Sequence, residues 1–229
     1  MSEKYIIGID QSTQGTKALL FDERGVMLRR ADVPHKQIVN DLGWVSHNPE
    51  EIYRNTIHIV KKLVADAGID KNKVEGIGIS NQRETSVIWD KITGCAIDNA
   101  IVWQCARATE ICEEIESPML NERIKKHTGL PLSPYFPAAK FAWMLKYVEG
   151  ASEKAQKHEL CYGTIDTWLI YRLSKEHAYK TDFSNAARTQ LFNIFSLTWD
   201  EEICNIFGIS KEDLPEVCSS DSLFGTTDF

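Results

Sequence analysis

The sequence predicts an α/β domain built on a mixed sheet, a β-meander followed by strand–helix units. Three observations carry this reading. Up to Val33 the chain holds three apolar runs separated by tight polar turns, the pattern of an antiparallel meander. A capped amphipathic helix then leads into a further apolar run, as a crossover to a strand parallel to the first does. Beyond it, helical and strand-like segments alternate.

Residues 6–22 form the opening strand pair. Ile6-Ile7-Gly8-Ile9 and Ala18-Leu19-Leu20-Phe21 flank a polar turn with Ser12, Thr13, Gly15 and Thr16, and Lys17 lies just beyond. Each apolar run has the length of a buried strand. Gly15, lacking a Cβ, is expected to take positive φ and let backbone N–H groups converge. Glu23-Arg24-Gly25 makes the next turn, residues 26–33 the third strand, and residues 34–44 a connection with Gly43-Trp44 at its tip.

Asn48-Pro49-Glu50-Glu51 starts a helix, with a capping side chain, Pro in the first turn and acids at the positive dipole end. Ile52, Thr56, Ile59, Val60, Leu63 and Val64 form its apolar stripe, and Gly68 ends it. A strand follows over residues 74–80, Asn81-Gln82-Arg83-Glu84-Thr85 interrupts it, and a strand resumes over residues 86–89 before a turn at 90–94. Ile101-Val102-Trp103 is a short apolar run. Helical text covers residues 107–116 and 119–127. Pro131, Pro134 and Pro137 bar regular helix from 130–137, and helix returns over 138–147. Leu160-Cys161-Tyr162 reads as a strand, 164–173 as a helix with Asp166 in its first turn, 181–194 as mixed and 199–207 as a short helix. The last residues, Gly225-Thr226-Thr227-Asp228-Phe229, carry no helix or strand stop.

Composition narrows the function. With 229 residues, 43% of them hydrophobic, the chain suits one large domain or two small ones. Its 26 basic and 33 acidic residues give a net charge of −7 without a basic block, so nucleic acid is not an expected partner. An anionic ligand needs a local basic site instead. The six cysteines form no C-x-x-C pair and read as reduced thiols of a cytoplasmic protein. Met1-Ser2-Glu3-Lys4 leads straight into a strand without a basic n-region, and no run approaches membrane-spanning length. No internal repeat or low-complexity tract occurs.

Two places carry chemistry. The turn after the first strand is a phosphate cradle in outline, with hydroxyl donors, the Lys17 cation and the Asp10 carboxylate able to hold Mg²⁺. It is neither a P-loop nor a dinucleotide fingerprint, because the required glycine spacings are absent. A hairpin with an idle polar loop is the plainer alternative. Arg83 and Glu84 follow the 74–80 strand, where open α/β sheets place ligands. Such a neighbouring cation and carboxylate can bracket a polyol, one donating and one accepting; a solvated surface pair is the alternative. Trp103 and Tyr135 can supply an apolar wall and a hydroxyl, or can simply pack in the core. The histidines, His35, His47, His58, His127, His158 and His177, show no metal-ligand spacing and read as surface or structural. No G-x-S-x-G elbow is present.

Asn81-Gln82-Arg83-Glu84-Thr85, Asn99-Ala100-Ile101-Val102-Trp103-Gln104-Cys105, Gly163-Thr164-Ile165-Asp166-Thr167-Trp168-Leu169-Ile170 and Leu214-Pro215-Glu216-Val217 occur in one order along the chain, and Tyr135-Phe136-Pro137-Ala138-Ala139-Lys140-Phe141-Ala142-Trp143-Met144 lies among them. Together they resemble the FGGY family of carbohydrate kinases, in particular its glycerol-phosphorylating members, over nearly the whole chain. The resemblance implies an actin-like, ribonuclease-H-like fold and transfer of the ATP γ-phosphoryl group to a terminal hydroxyl of glycerol, with ATP and Mg²⁺ as cofactors. It implies that Arg83, Glu84 and Tyr135 bind the polyol beside the Trp103 wall. Asp10 falls on the catalytic site's Mg²⁺ side, and Thr13, Gln14, Gly15 and Lys17 on its phosphate-contacting turn. Residues 1–229 then correspond to the N-terminal, substrate-binding domain. The family's catalytic base lies in a Gly-Asp-Gln segment, which does not occur here, and its nucleotide-binding second domain is absent from this chain.

The turn also departs from the family's usual Asp-Gln-Gly-Thr-Thr-Ser-Ser-Arg run at Ser12, Gln14, Gly15, Thr16 and Lys17. Lysine keeps the charge of the usual arginine and loses its bidentate fork. A kinase for another polyol or sugar, and a non-catalytic polyol-binding module, are the rival readings. Assembly into a homo-oligomer is left open by the sequence.

Overall fold

The computed structural model describes residues 4–228. The lead-in Met1-Ser2-Glu3 and the terminal Phe229 lie outside the described residues. The meander expected from the sequence is present: β1 (Tyr5–Gln11), β2 (Gly15–Asp22) and β3 (Met27–Pro34) pair antiparallel in turn. Alternation decides which side of β1 is inside. Tyr5, Ile7, Ile9 and Gln11 are buried, and the residues between them are not.

The segment read as a plain connection is instead a short hairpin, β4 (Ile38–Val39) and β5 (Val45–His47), with Gly43 in the left-handed region at its turn. Helix α1 (Pro49–Ala67) starts where expected, because the Asn48 side chain accepts from the backbone N–H groups of Glu50 and Glu51. Gly68, at φ 63°, stops it. Its buried stripe serves two cores. Ile59, Val60 and Leu63 pack on Ile7, Ile9, Ala18 and Leu20, while Ile52 joins Val87, Trp89 and Trp168. Each fully buried Ile, Val or Leu among them stabilises the fold by about 1.5–3 kcal/mol. The helix is a crossover: β6 (Val74–Asn81) returns parallel to β1, giving a mixed sheet of order β3-β2-β1-β6.

The chain then leaves this sheet. Residues 82–85 make a turn, closed by a Thr85 N–H to Gln82 carbonyl bond, and β7 (Ser86–Asp90) enters a second sheet. With β8 (Ala100–Ile101) and β9 (Leu160–Thr164) its order is β4-β5-β8-β7-β9, antiparallel throughout. The expected mixed sheet is the first of these, and the second sheet is antiparallel.

Between β8 and β9 run α2 (Thr109–Ile115), α3 (Pro118–Thr128), α4 (Pro137–Tyr147) and α5 (Ala151–Gln156), the last not anticipated from the sequence. Helix α6 (Ile165–Leu173) follows β9 directly. Strand β7 is buried along its whole length because both faces are covered. Ile88 packs with Phe141 and Met144 of α4, and Val87 and Trp89 pack with Ile165 and Trp168 of α6. The remainder is short. Strand β10 (Lys180–Asp182), helix α7 (Phe183–Ala186), β11 (Phe192–Asn193), β12 (Thr198–Trp199), helix α8 (Glu201–Ile206) and β13 (Glu216–Cys218) close the domain. Trp199, expected in a helix, is in β12, which pairs with β11.

Candidate active site

Strands β1 and β6 run parallel and end side by side, with Asp10 opposite Ser80 and Gln11 opposite Asn81. The loops leaving those two ends face a cavity of about 200 Å³ whose wall includes Asp10, Thr13, Gln82, Glu84, Trp103 and Tyr135. This is the sheet edge where ligands of open α/β folds are held.

The turn after β1 is tight. Ser12 donates to the Gly15 carbonyl through its N–H at 2.9 Å and its hydroxyl at 3.1 Å. Gly15 is needed there for a reason other than the expected one. It does not have positive φ; a Cβ on it would stand 2.5 Å from the Val33 carbonyl oxygen across the β2–β3 pair. Lys17 faces Asp10 across β1 and β2, and its ammonium donates to the Asp10 carboxylate at 2.8 Å. Thr13 lines the cavity, accepting from the Trp103 indole N–H through its hydroxyl oxygen at 2.8 Å. Gln14 is exposed and borders a second, open trough of about 650 Å³ beyond Trp103, which His35, Gln37 and Gln104 also line.

Arg83 and Glu84 do not pair with each other. Glu84 is buried and accepts from the Nε–H of Arg188 at 2.6 Å, a residue 104 positions away. Arg188 in turn stacks over Phe136, with its guanidinium 5.2 Å from the ring centre. One Glu84 oxygen is therefore committed, and the other accepts from nothing among the described residues. The Arg83 side chain is exposed and does not line the cavity. Trp103 and Tyr135 meet edge to face at 5.8 Å, and Tyr135 is 36% exposed. Of the residues expected from the sequence, the cavity brings together Asp10, Thr13, Glu84, Trp103 and Tyr135, whereas Gly15, Lys17 and Arg83 stand behind or beside it.

Beneath the wall lies a buried polar layer. Gln82 donates through its side-chain amide to the Gln11 side-chain oxygen at 3.1 Å and approaches His47 Nδ1 at 3.3 Å. Thr85 donates to the Gln82 amide oxygen at 2.8 Å and accepts from the Trp103 backbone N–H at 3.2 Å. Because Gln82 presents a donor to His47 Nδ1, that nitrogen is the acceptor of a neutral imidazole. His47 is wholly buried, and burial, with the His35 ring 4.5 Å away, pushes its pKa down to about 4. His35, also depressed by burial, donates through Nε2 to the Thr13 carbonyl at 3.0 Å.

Gln11, Gln82, Lys140 and Arg188 escaped the sequence reading as site residues. Gln11 had a signal, because strict alternation from Tyr5 puts position 11 on the buried face. Lys140 had a weaker one, a lysine within the apolar run of α4. Among the described residues no cluster of three or more metal-ligating side chains exists. Asp10 is a carboxylate on the cavity wall and could take a divalent cation.

The family model described as the FGGY family of carbohydrate kinases, N-terminal domain, matches residues 5–228. Among curated proteins, "Glycerol kinase 1" of Thermotoga maritima is 50% identical over 98% of this chain and 46% of its own length. "Glycerol kinase" of Bacillus subtilis is 44% identical over 98% of this chain and 45% of its own. Among solved structures, Plasmodium falciparum glycerol kinase with ADP superposes with a TM-score of 0.91 at 37% identity, covering all of this chain and 46% of that one. The chain spans about half the length of the curated relatives it matches. The architecture is the actin-like, ribonuclease-H-like ATPase fold expected from the resemblance.

Proposed function

Because the chain belongs to the FGGY family of carbohydrate kinases, we propose that it is the substrate-binding domain of a kinase that transfers the γ-phosphoryl group of ATP to a terminal hydroxyl of glycerol. The observation that carries this is the cavity at the joint end of β1 and β6. One wall is aromatic, one carboxylate oxygen of Glu84 is open, and Asp10 and the Ser12–Thr13 turn stand at its edge. A polyol offers C–H faces to Trp103 and Tyr135 and a hydroxyl proton to Glu84. Arg83 contributes from the rim. The identity to two proteins named glycerol kinase supports glycerol over a larger sugar.

Mg²⁺ brought by ATP would supply the charge that neutralises the transferring phosphoryl group. Asp10 is the residue to hold it, and Lys17, now on Asp10, is the cation to share with phosphate. Thr13, Gln14 and Gly15 border the phosphate path. What these residues contribute is orientation and charge placement, which carry most of the rate in phosphoryl transfer. Glu84, paired with Arg188, accepts the hydrogen bond of a bound hydroxyl, and Asp10, paired with Lys17, faces the phosphates, so neither is the base we assign to the reacting hydroxyl. We assign that base, and adenosine binding, to sequence outside these 229 residues. A cytoplasmic location accords with ATP use and with the cysteines, none of which is disulfide-bonded. Among the described residues no helix is long and apolar enough to cross a membrane.

The test is ADP release by the protein as its gene encodes it, with MgATP and a panel of glycerol, 1,2-propanediol, 1,3-propanediol, gluconate and pentuloses. Glycerol should give the highest kcat/KM, with a diol lacking a bound hydroxyl penalised by up to about 10⁴-fold. A preferred pentulose or gluconate refutes the substrate, and no phosphorylation of any of them refutes the kinase reading.

A further inference from the structure

Lys140 is wholly buried, on the first turn of a helix whose neighbouring positions Ala138, Ala139, Phe141 and Met144 are buried and apolar. Hiding an ammonium there is costly, and burial pushes its pKa down to about 7. No carboxylate within ion-pair distance offsets the cost among the described residues. Its ammonium is spent on backbone: it donates to the Pro134 carbonyl at 2.7 Å and to the Tyr135 carbonyl.

Those two carbonyls have few other donors to turn to. They precede a helix that begins only at Pro137, which has no N–H. The neighbouring N–H groups are already used. Tyr135 donates to the Ser133 hydroxyl, Phe136 to the Ser133 carbonyl and Ala138 to Thr189. The segment so held carries the Tyr135 ring, which forms part of the cavity wall, meets Trp103 edge to face and lies 5.9 Å from the ammonium.

We propose that Lys140 is a positioning residue for the polyol: by clamping the 134–135 backbone it fixes Tyr135 against Trp103 at the separation the substrate needs. This rests on the polyol-kinase reading of the cavity. A residue that only filled space could be replaced by an isosteric apolar one with effects on stability alone. A positioning residue acts through Tyr135 and on the substrate it touches.

The experiment measures glycerol and ATP kinetics of the protein as its gene encodes it, with unfolding midpoints for each variant. Lys140→Met keeps the stem and removes the donors. Its glycerol KM should rise between about 5- and 50-fold, the scale of one ordinary ligand contact weakened or lost. Its kcat and its ATP KM should stay within about twofold of wild type. Lys140→Gln retains an N–H₂ donor and should fall between the two. In a double-mutant cycle with Tyr135→Ala, which removes the ring that Lys140 is proposed to hold, the KM penalties should be strongly non-additive. A folded Lys140→Met variant with wild-type glycerol KM overturns the proposal, as do penalties that simply multiply. Where the Met variant does not fold, Lys140→Gln enters the same cycle with the same two outcomes. A wild-type protein that phosphorylates no polyol overturns the functional reading and this proposal together, whereas an active wild type with an indifferent Lys140 overturns the proposal alone.

Discussion

Acid should destabilise this domain through His47 before any carboxylate is affected. His47 is wholly buried beneath the cavity, with Nδ1 facing a donor of Gln82 and the His35 ring 4.5 Å away. Protonating Nδ1 sets two donors against each other and places a charge in a buried site with no ion-pair partner among the described residues. The imidazole pKa accordingly falls from 6.5 to about 4. A folded pKa below the unfolded one means that the unfolded chain takes up the proton first. The stability is therefore complete above about pH 6.5 and drains away as pH falls toward 4. Between pH 7 and pH 5 the two pKa values correspond to a loss of about 2 kcal/mol. For a chain of this size that is a fall of roughly 4–8 °C in Tm. Asp90, depressed to about 2 chiefly by the Lys154 ammonium, works in a lower window and loses its contribution only as pH drops from about 4 toward 2. The assay is thermal unfolding between pH 5 and 7.5 for wild type and His47→Asn, which carries a side-chain acceptor and does not titrate. The variant should start lower at pH 7 and lose about 2 kcal/mol less on going to pH 5. Parallel pH profiles, or a His47 ring resonance titrating near its ordinary value, would refute the reasoning.

Other expectations follow from single contacts. Gly15→Ala drives a methyl into the Val33 carbonyl, where backbone must yield, and should cost about 1–3 kcal/mol in urea unfolding; an unchanged midpoint denies the close approach. Arg188→Met leaves the buried Glu84 carboxylate unpaired. It should destabilise by somewhat less than the roughly 3–5 kcal/mol of a fully buried pair, since Arg188 is partly exposed, and adding Glu84→Gln should recover much of the loss. Asp10→Asn breaks a half-exposed pair with Lys17, so the unfolding midpoint should shift by less than about 1 kcal/mol while turnover of the gene-encoded protein collapses. Wild-type turnover in Asp10→Asn rejects the Mg²⁺ assignment. Residues 1–229 expressed by themselves should fold and show no ADP release above a mock preparation, because the loss of a general base alone costs about 10²–10⁴-fold.

Much of this molecule was legible in the chain because its signals are local. The Asn48 cap and Gly68 stop bound α1 within a residue or two, and the crossover rule made β6 parallel to β1. Asp10, Thr13 and Glu84 could be singled out because loops after parallel strands collect at one sheet edge, whereas Trp103 and Tyr135 came from their aromatic chemistry and the family resemblance. The hairpin at residues 38–47 was missed because its strands are two and three residues long, too short to show a period. The partners of the site residues were beyond reach for a different reason. Glu84 sits beside Arg83 in sequence, yet the turn at 82–85 turns the two side chains apart and brings Arg188 to Glu84 from the far end of the domain. Gly15 is required by the passing backbone of β3, not by its own φ. Lys140 is a surface-type residue by composition and becomes a buried clamp only because a proline-flanked segment leaves carbonyls facing inward. Spacing along a chain determines periodicity and caps, which act over a few residues. Which charge meets which, and how closely two backbones pass, depends on packing that joins segments far apart, and only the tertiary structure decides it.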